Sequence, residues 1–506
     1  MRYVVLGCFS LLLVAPTANA EWLEVSSDHF VIYSEQNEAL TKRFAERLER
    51  FHAAMAFVFS KPPSRPGPSN RVTAYVVSST AKVRDVVGTS NRFLAGVYIP
   101  RAGASVALIP KLRNASNFDP LGETTLYHEY AHHFMIATLT ARAFPRWFTE
   151  GFAEFFSSVQ FKEDGSVVLG APSNSRAAEI WTETRVPLRT LLSFDGTAKN
   201  AKPGYNSFYG QSWLLFHYLQ MAKERAGELT KYQSLLAINH SALEAAEGAF
   251  GDLGKLKKDL DSYLKRRQLN VMIVADAALE VGAIAVRKVS PGEEAMMPII
   301  IESNVGVTLE EARNLVSKAR KVAALHPDDP AVLEALAEAE FDADNDAAAI
   351  AAADRALAID PRRINAHIQK GYAMFRQAES GALPKESWKD VRRQFIKANS
   401  VENDNPIPLM RFYMSYLNQG ERPTKNAIDG LEWAMHLAPF DESLRWLVAQ
   451  QMVADKRDSD AAQTLAPLAY SPHPGEHTDE ARQLLKEVEA RLEREQSPSP
   501  DPLNVE

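Results

Sequence analysis

His128, Glu129 and His132 are the residues of this 506-residue chain whose types and spacing point most directly to chemistry. They stand in His128-Glu129-Tyr130-Ala131-His132, an H-E-x-x-H pattern. On a helix the two histidines lie one turn apart and project from one face. Two imidazoles so placed can hold one divalent metal, with Glu129 beside them in reach of a water held there. A zinc site that does chemistry takes three protein ligands and keeps one position open, so a third ligand must come from elsewhere. Trp147-Phe148-Thr149-Glu150-Gly151-Phe152-Ala153-Glu154 offers Glu150. Residues 133 to 149 lie between, enough for the rest of one helix, a turn broken by Pro145 and the start of a second helix. Glu150 and Glu154 are four apart, so both could face the metal. His133 points about 100° away from His132 on a helix and reads as structural.

HEYAH followed by WFTEGFAEF resembles the gluzincin metallopeptidases, most closely the bacterial peptidase MA-like domains, over roughly Trp22 to Arg267. The resemblance implies a thermolysin-like zincin domain with a small mixed sheet and active-site helices. It implies one Zn2+ per chain, held by His128, His132 and Glu150, with Glu129 as general base and Glu154 bracing His128. It also implies a tyrosine donating to the oxyanion near Gly204-Tyr205-Asn206-Ser207-Phe208-Tyr209-Gly210-Gln211-Ser212. Tyr209 is the candidate and Tyr205 the reserve. On that resemblance Ser105 to Ile109 is the candidate for the edge strand that pairs with substrate, the alternative being an ordinary strand of the sheet. The aminopeptidase branch places a glutamate near that strand. Phe93 to Pro110 contains no acidic residue, which favours an endopeptidase.

The elements that must position these residues are legible around them. His29 to Ser34 and Val72 to Val77 read as strands, and Glu38 to Phe59 has helical spacing of apolar residues. Gly96 to Pro100 and Ser105 to Pro110 read as a hairpin about Arg101-Ala102-Gly103. Val167 to Gly170 reads as a small strand, and Val186 to Leu192, Leu214 to Met221 and Lys255 to Arg267 as helices. Val271 to Val274, Ile284 to Val289 and Met297 to Ile301 are β-like and surround a turn at Ser290-Pro291-Gly292-Glu293.

From Thr308 the chain turns alanine-rich. Pro327 and Pro361 are 34 positions apart, the tetratricopeptide period. Ala349, Ala356, Gly371, Ala427 and Ala434 fall where that repeat wants small residues, with Leu333 and Leu336 on its first helix. The expected fold is α+β followed by an all-α tetratricopeptide-like solenoid. Its divisions are a signal peptide 1–20, a catalytic domain 21–270, a bridging β-like segment 271–305, helical repeats 306–495 and a disordered tail 496–506. Such stacks leave a concave face suited to peptides or partner proteins.

Arg2, the apolar run Tyr3 to Val14 and Ala18-Asn19-Ala20 read as a secretory signal cut after Ala20, placing the protein in the periplasm or outside the cell. Cys8, the one cysteine, lies in that leader, so the mature chain has no thiolate for a metal and no disulfide. A net charge of −7 and the lack of a basic stripe exclude nucleic acid as the expected partner. No later segment reads as a transmembrane helix. The expected function is zinc-dependent hydrolysis of peptide bonds in protein substrates, with the repeats binding substrate or a partner. The alternative is a periplasmic chaperone or scaffold acting through its tetratricopeptide surface, with a structural or little-used metal site.

Overall fold

The computed structural model describes residues 21–62, 65–92, 94–112, 120–139, 143–193, 207–237, 241–471 and 475–496. The leader 1–20 with Cys8, Tyr205, and residues 497–506 of the expected tail lie outside the described residues.

The first half is built on a six-stranded sheet. Its strands are β1 (Leu23–Ser26), β2 (Phe30–Ser34), β3 (Val72–Val77), β4 (Val97–Ile99), β5 (Val106–Pro110) and β9 (Ala285–Lys288). They lie in the order β4-β5-β3-β2-β1-β9. β2, β3 and β5 run parallel, while β1, β4 and β9 add antiparallel neighbours. Parallel neighbours need a crossover, and α1 (Glu38–Val58) supplies the one from β2 to β3. Asn37 caps α1 by accepting from Leu40 N at 2.9 Å. The apolar spacing of α1 buries Phe44, Leu48, Phe51 and Met55 against the sheet. A second crossover helix, α2 (Thr80–Val87), returns the chain from β3 toward β5.

Side chains on a strand alternate between faces, and β3 shows the consequence. Val72, Ala74 and Val76 join the core beneath α1, whereas Tyr75 and Val77 join a second core on the opposite face. That second core contains Met297 and Ile301, so the expected β-like run Met297 to Ile301 is corrected: it lies inside helix α11 (Pro291–Val305). The supposed turn at Ser290 is the helix start, where Ser290 accepts from Glu293 N with Pro291 in the first turn. The run is apolar on two sides because Met296 and Ile299 face the following helices while Met297 and Ile301 face the sheet. Burial on both sides erases the period that would have marked a helix.

Between β5 and β9 come α3 (Pro120–Thr138), α4 (Arg146–Ser157), α5 (Asn174–Thr182), α6 (Leu188–Leu192), α7 (Phe208–Met221), α8 (Glu228–Ala237), α9 (Ala242–Phe250) and α10 (Leu253–Tyr263). A small antiparallel sheet of β6 (Gln160–Phe161), β7 (Val167–Leu169) and β8 (Met272–Val274) lies beside them. The expected edge strand Ser105 to Ile109 is also corrected. β5 is paired on both sides, and β4 is the edge.

His217 on α7 ties this part together and is 0% exposed. Its Nε2 lies 2.9 Å from Gly170 O and its Nδ1 2.9 Å from the Tyr263 hydroxyl. Burial pushes its pKa down to about 4 against the helping pull of the Gly170 carbonyl. Burial likewise pushes His52, at the sheet side of α1, down to about 3. The folded values lie below the unfolded one, so both rings are neutral in either state at pH 7. Below about 6.5 only the unfolded chain takes up the protons. Stability therefore falls from about pH 6.5 toward pH 4, by up to about 1.4 kcal/mol per pH unit for His217. Thermal melts from pH 7 to 4 check this: His217→Gln should flatten the slope, and a slope identical to the wild type would refute the assignment.

The second half is a helical-repeat array: α12 (Leu309–Leu325), α13 (Pro330–Asp342), α14 (Asp346–Ile359), α15 (Ile364–Glu379), α16 (Trp388–Val401), α17 (Pro406–Gln419), α18 (Lys425–Leu437), α19 (Glu442–Ala454), α20 (Asp458–Ala469) and α21 (Thr478–Gln496). α21 carries the helix through Gln496, one residue into the expected tail. The expected small positions are fully buried at Ala349, Ala356, Ala427 and Ala434. A Cβ on Gly371 would meet the Phe395 ring at 2.6 Å, so a side chain there would hold α15 and α16 apart. The array curls back onto the sheet. Glu402 accepts from Ser69 N and Oγ at 2.7 and 2.6 Å, and Asp441 from Ala102 N at 2.7 Å. The Phe440 ring lies 4.1 Å from that of His133.

Candidate metal centre

α4 is buried almost all round, and among its aromatic residues stand two carboxylates, Glu150 at 0% and Glu154 at 6% exposure. Charges taken out of water need close partners. For Glu150 these include both histidines of α3. Its Oε2 lies 3.5 Å from His128 Nε2 and 3.5 Å from His132 Nε2, and the two Nε2 atoms are 3.1 Å apart. Zinc bonds of about 2.0–2.1 Å in tetrahedral directions would put neighbouring donor atoms about 3.3–3.4 Å apart. The three atoms therefore form one face of a metal-sized tetrahedron, and their types suit zinc. Among the described residues this is the one such cluster of His, Cys, Asp and Glu.

The far side of His128 is held as well. Its Nδ1 lies 3.3 Å from Glu154 Oε1. Arg176 on α5 grips Glu154 with two bonds, Nε to Oε2 at 2.8 Å and Nη2 to Oε1 at 2.6 Å, and holds Glu179 through Nη1 at 2.9 Å. Burial would lower the pKa of His128, but Glu150 and Glu154 outweigh it and hold the ring protonated up to about 10 in the metal-free chain. A metal taking Nε2 must displace that proton. Burial raises Glu154, and the bonds from His128 and Arg176 more than reverse this, keeping it ionised.

Arg176→Ala should leave Glu154 buried without its fork and let the His128 ring turn. Zinc affinity, read by competition with a chelating dye, should fall ten- to hundredfold. Arg176→Lys should restore only part of it, since an ammonium cannot make the bidentate grip. Unchanged affinity in the alanine variant would remove Arg176 from the site.

Tyr209 opens α7 beside these residues. Its hydroxyl accepts from Arg146 Nη2 at 3.4 Å, and its ring lies 5.2 Å from the Arg176 guanidinium. Burial and the charge of Glu150 push its pKa up, against Arg146. His133 makes a 2.8 Å bond through Nδ1 to the Tyr98 hydroxyl and stacks on Tyr130. The spacing rules miss two residues. Arg146 is i,i+4 to Glu150 and was open to a helical reading, with its Nε 3.9 Å from Glu150 Oε1. Arg176 lies 22 positions beyond Glu154 and carries no local signal.

Glu129 and His132 line a cavity of about 180 Å3 whose other lining residues include Phe440, Leu468 and Tyr470 of the repeat array. α3 and the repeats thus share one space.

No family model matches the chain, and no curated protein does. The similar solved structures are helical-repeat proteins. A thermophilic TPR protein of Thermus thermophilus is 17% identical, covering 39% of this chain and 99% of its own, with a TM-score of 0.32. PilF of Pseudomonas aeruginosa is 14% identical, covering 42% of this chain and 96% of its own, with a TM-score of 0.29. Yeast Tom70 is 14% identical, covering 74% and 84%, with a TM-score of 0.27. Scores this low place no activity on the chain. The resemblance to gluzincin metallopeptidases is therefore corrected: no peptidase family model matches, and none of these structures is a peptidase. The physical reason is that H-E-x-x-H and a later glutamate set three side-chain positions on two helices. Two helices do not define a family.

Proposed function

We propose that this chain is an exported polypeptide-binding protein, in which the repeats take an unfolded protein or a partner and a divalent metal, zinc by donor type, sits where the repeats meet α3. The observation that carries this reading is the shared cavity, lined by Glu129 and His132 on one side and by Phe440 and Leu468 on the other. Export rests on the leader Met1 to Ala20. No helix among the described residues is long and apolar enough to cross a membrane.

A second reading is favoured by Glu129: the bound polypeptide is hydrolysed, by an endopeptidase rather than an aminopeptidase. A metal that only holds the fold needs no base beside it, and structural zinc sites are closed by a fourth protein ligand. When bound, zinc supplies Lewis acidity toward a peptide carbonyl and lowers the pKa of a water to about 7. Glu129 would be the group that takes a proton from an attacking water and passes it to the leaving amine. Tyr209 donates its hydroxyl proton in a hydrogen bond to the developing oxyanion, worth about 3 kcal/mol of barrier. Glu154, held by Arg176, keeps the His128 ring turned so that Nε2 faces Glu150.

The test uses the mature chain, zinc-loaded and chelator-stripped, with a fluorescent unfolded casein. About one zinc per chain and saturable binding are expected. No binding at micromolar concentrations by either form overturns the first reading. Binding by the loaded form without cleavage overturns the second.

A further inference from the structure

The turn between β4 and β5, Arg101-Ala102-Gly103-Ala104, enters the repeat array. Ala102 is buried and belongs to the apolar cluster that holds Ile368 of α15 and Ile407 of α17. Gly103 has a φ of +78° and lies so close to Ile407 that a Cβ would stand 2.5 Å from its Cγ1. The Ala102 N–H donates to Asp441 Oδ2 at 2.7 Å, while Asp441 Oδ1 caps α19 by accepting from Leu444 N at 2.8 Å. Arg101 donates through Nη2 to Asn304 Oδ1 of α11 at 2.7 Å. Its charge also acts on Glu338 and Asp342 of α13. The turn thus lies among the leading helices of four successive pairs, α13, α15, α17 and α19. A peptide laid along the inner face of a stacked array would lie in the same way.

Glu338 and Asp342 are one helical turn apart and face the same side of α13. Burial and the neighbouring Asp342 push Glu338 up to about 7, and Asn365 and Arg101 pull it back. Two carboxyls drawn out of water side by side favour a cation as their neighbour. Within the chain Arg101 is that cation.

We propose that the inner face of the repeats is a docking site for a polypeptide segment presenting an arginine followed by two small residues, and that the turn at Arg101 fills it in cis until such a segment of a partner displaces it. Each position has a physical source. Glu338 and Asp342 select the arginine, the Ile368 and Ile407 cluster takes a methyl group, and Ile407 leaves no room for a side chain at the third position. The proposal rests on the polypeptide-binding reading and names the partner's chemistry. A tethered occupant has a high local concentration, so a partner's apparent affinity is reduced by the fraction of chains whose turn is seated. The strand that leads into the turn carries Tyr98, bonded to His133 on the helix of the metal residues at 2.8 Å.

The probe is a fluorescent cyclic peptide of residues 97–108, closed where Val97 faces Leu108 across the hairpin. It is titrated into the full chain and into Arg101→Asp, which sets a negative charge against Glu338 and Asp342 and lifts the turn. The lifted variant should bind the peptide at least about tenfold more tightly than the wild type. The same peptide carrying Arg101→Ala should bind that variant at least about tenfold more weakly, the order of one lost charge-assisted bond. Ala102→Asp, which puts a carboxylate into the apolar cluster, serves if the first variant melts early. Equal affinity of wild type and both folded variants for the peptide overturns occupation in cis. Equal affinity of the two peptides overturns the choice of arginine. Unfolded casein is titrated on the same samples. Peptide binding by the lifted chain with no casein binding leaves the docking site standing and removes the reading of the repeats as a binder of unfolded protein. Casein binding with no peptide binding by either variant overturns the docking site alone.

Discussion

Glu129→Gln should keep the zinc content of the chain and lower its hydrolysis of unfolded casein by at least about 100-fold. The amide is close to the carboxylate in size and cannot take a proton, so the change removes one function and little packing. Glu129 is not among the three clustered donors His128, His132 and Glu150, so metal affinity should hold within a few-fold. Polypeptide binding should hold too, because the apolar lining of the cavity is untouched. The result is read by elemental analysis and by the initial rate of cleavage on the same samples. Full activity in the glutamine variant would remove Glu129 as the base. Loss of zinc along with activity would mean that Glu129 helps hold the metal.

Gly151→Ala should cost about 1–3 kcal/mol of stability, the usual range for forcing atoms into a filled interior. A Cβ on Gly151 would stand 2.6 Å from the Ser212 carbonyl oxygen and 2.9 Å from Phe216 Cβ, both on α7. A backbone oxygen cannot swing aside as a side-chain tip can, so α4 and α7 must separate. Glu150 precedes this position and Glu154 follows it on the same helix, so the separation moves both carboxylates relative to His128. Zinc affinity should fall with stability. Urea denaturation and chelator competition measure the two. A variant within about 0.5 kcal/mol of the wild type, with unchanged zinc affinity, would show that the contact relaxes without moving the site.

The pairing of His128 and His132 is legible in the sequence because it is a local matter. Four positions on a helix put His128 and His132 on one face whatever surrounds them, and Pro145 marks where α4 must begin anew. The 34-residue spacing of Pro327 and Pro361, with alanines at fixed offsets, announces stacked helix pairs for the same reason. Glu154 is open to reading as one more turn of the helix that carries Glu150. Its fork from Arg176 is not, because a residue on another helix is brought near only by the path of the chain. The helix α11 reads as a strand because it is buried on two faces, and periodicity reports contrast between faces rather than conformation. The return of the repeats onto the sheet, through Glu402, Asp441 and Phe440, has no mark in local pattern at all. Local spacing therefore settled which residues could ligate a metal and which half of the chain repeats. Long-range packing settled that Glu150 meets the two histidines, what braces these three donors, and that the cavity beside them is walled in part by repeat helices far along the chain, at Phe440 and Leu468.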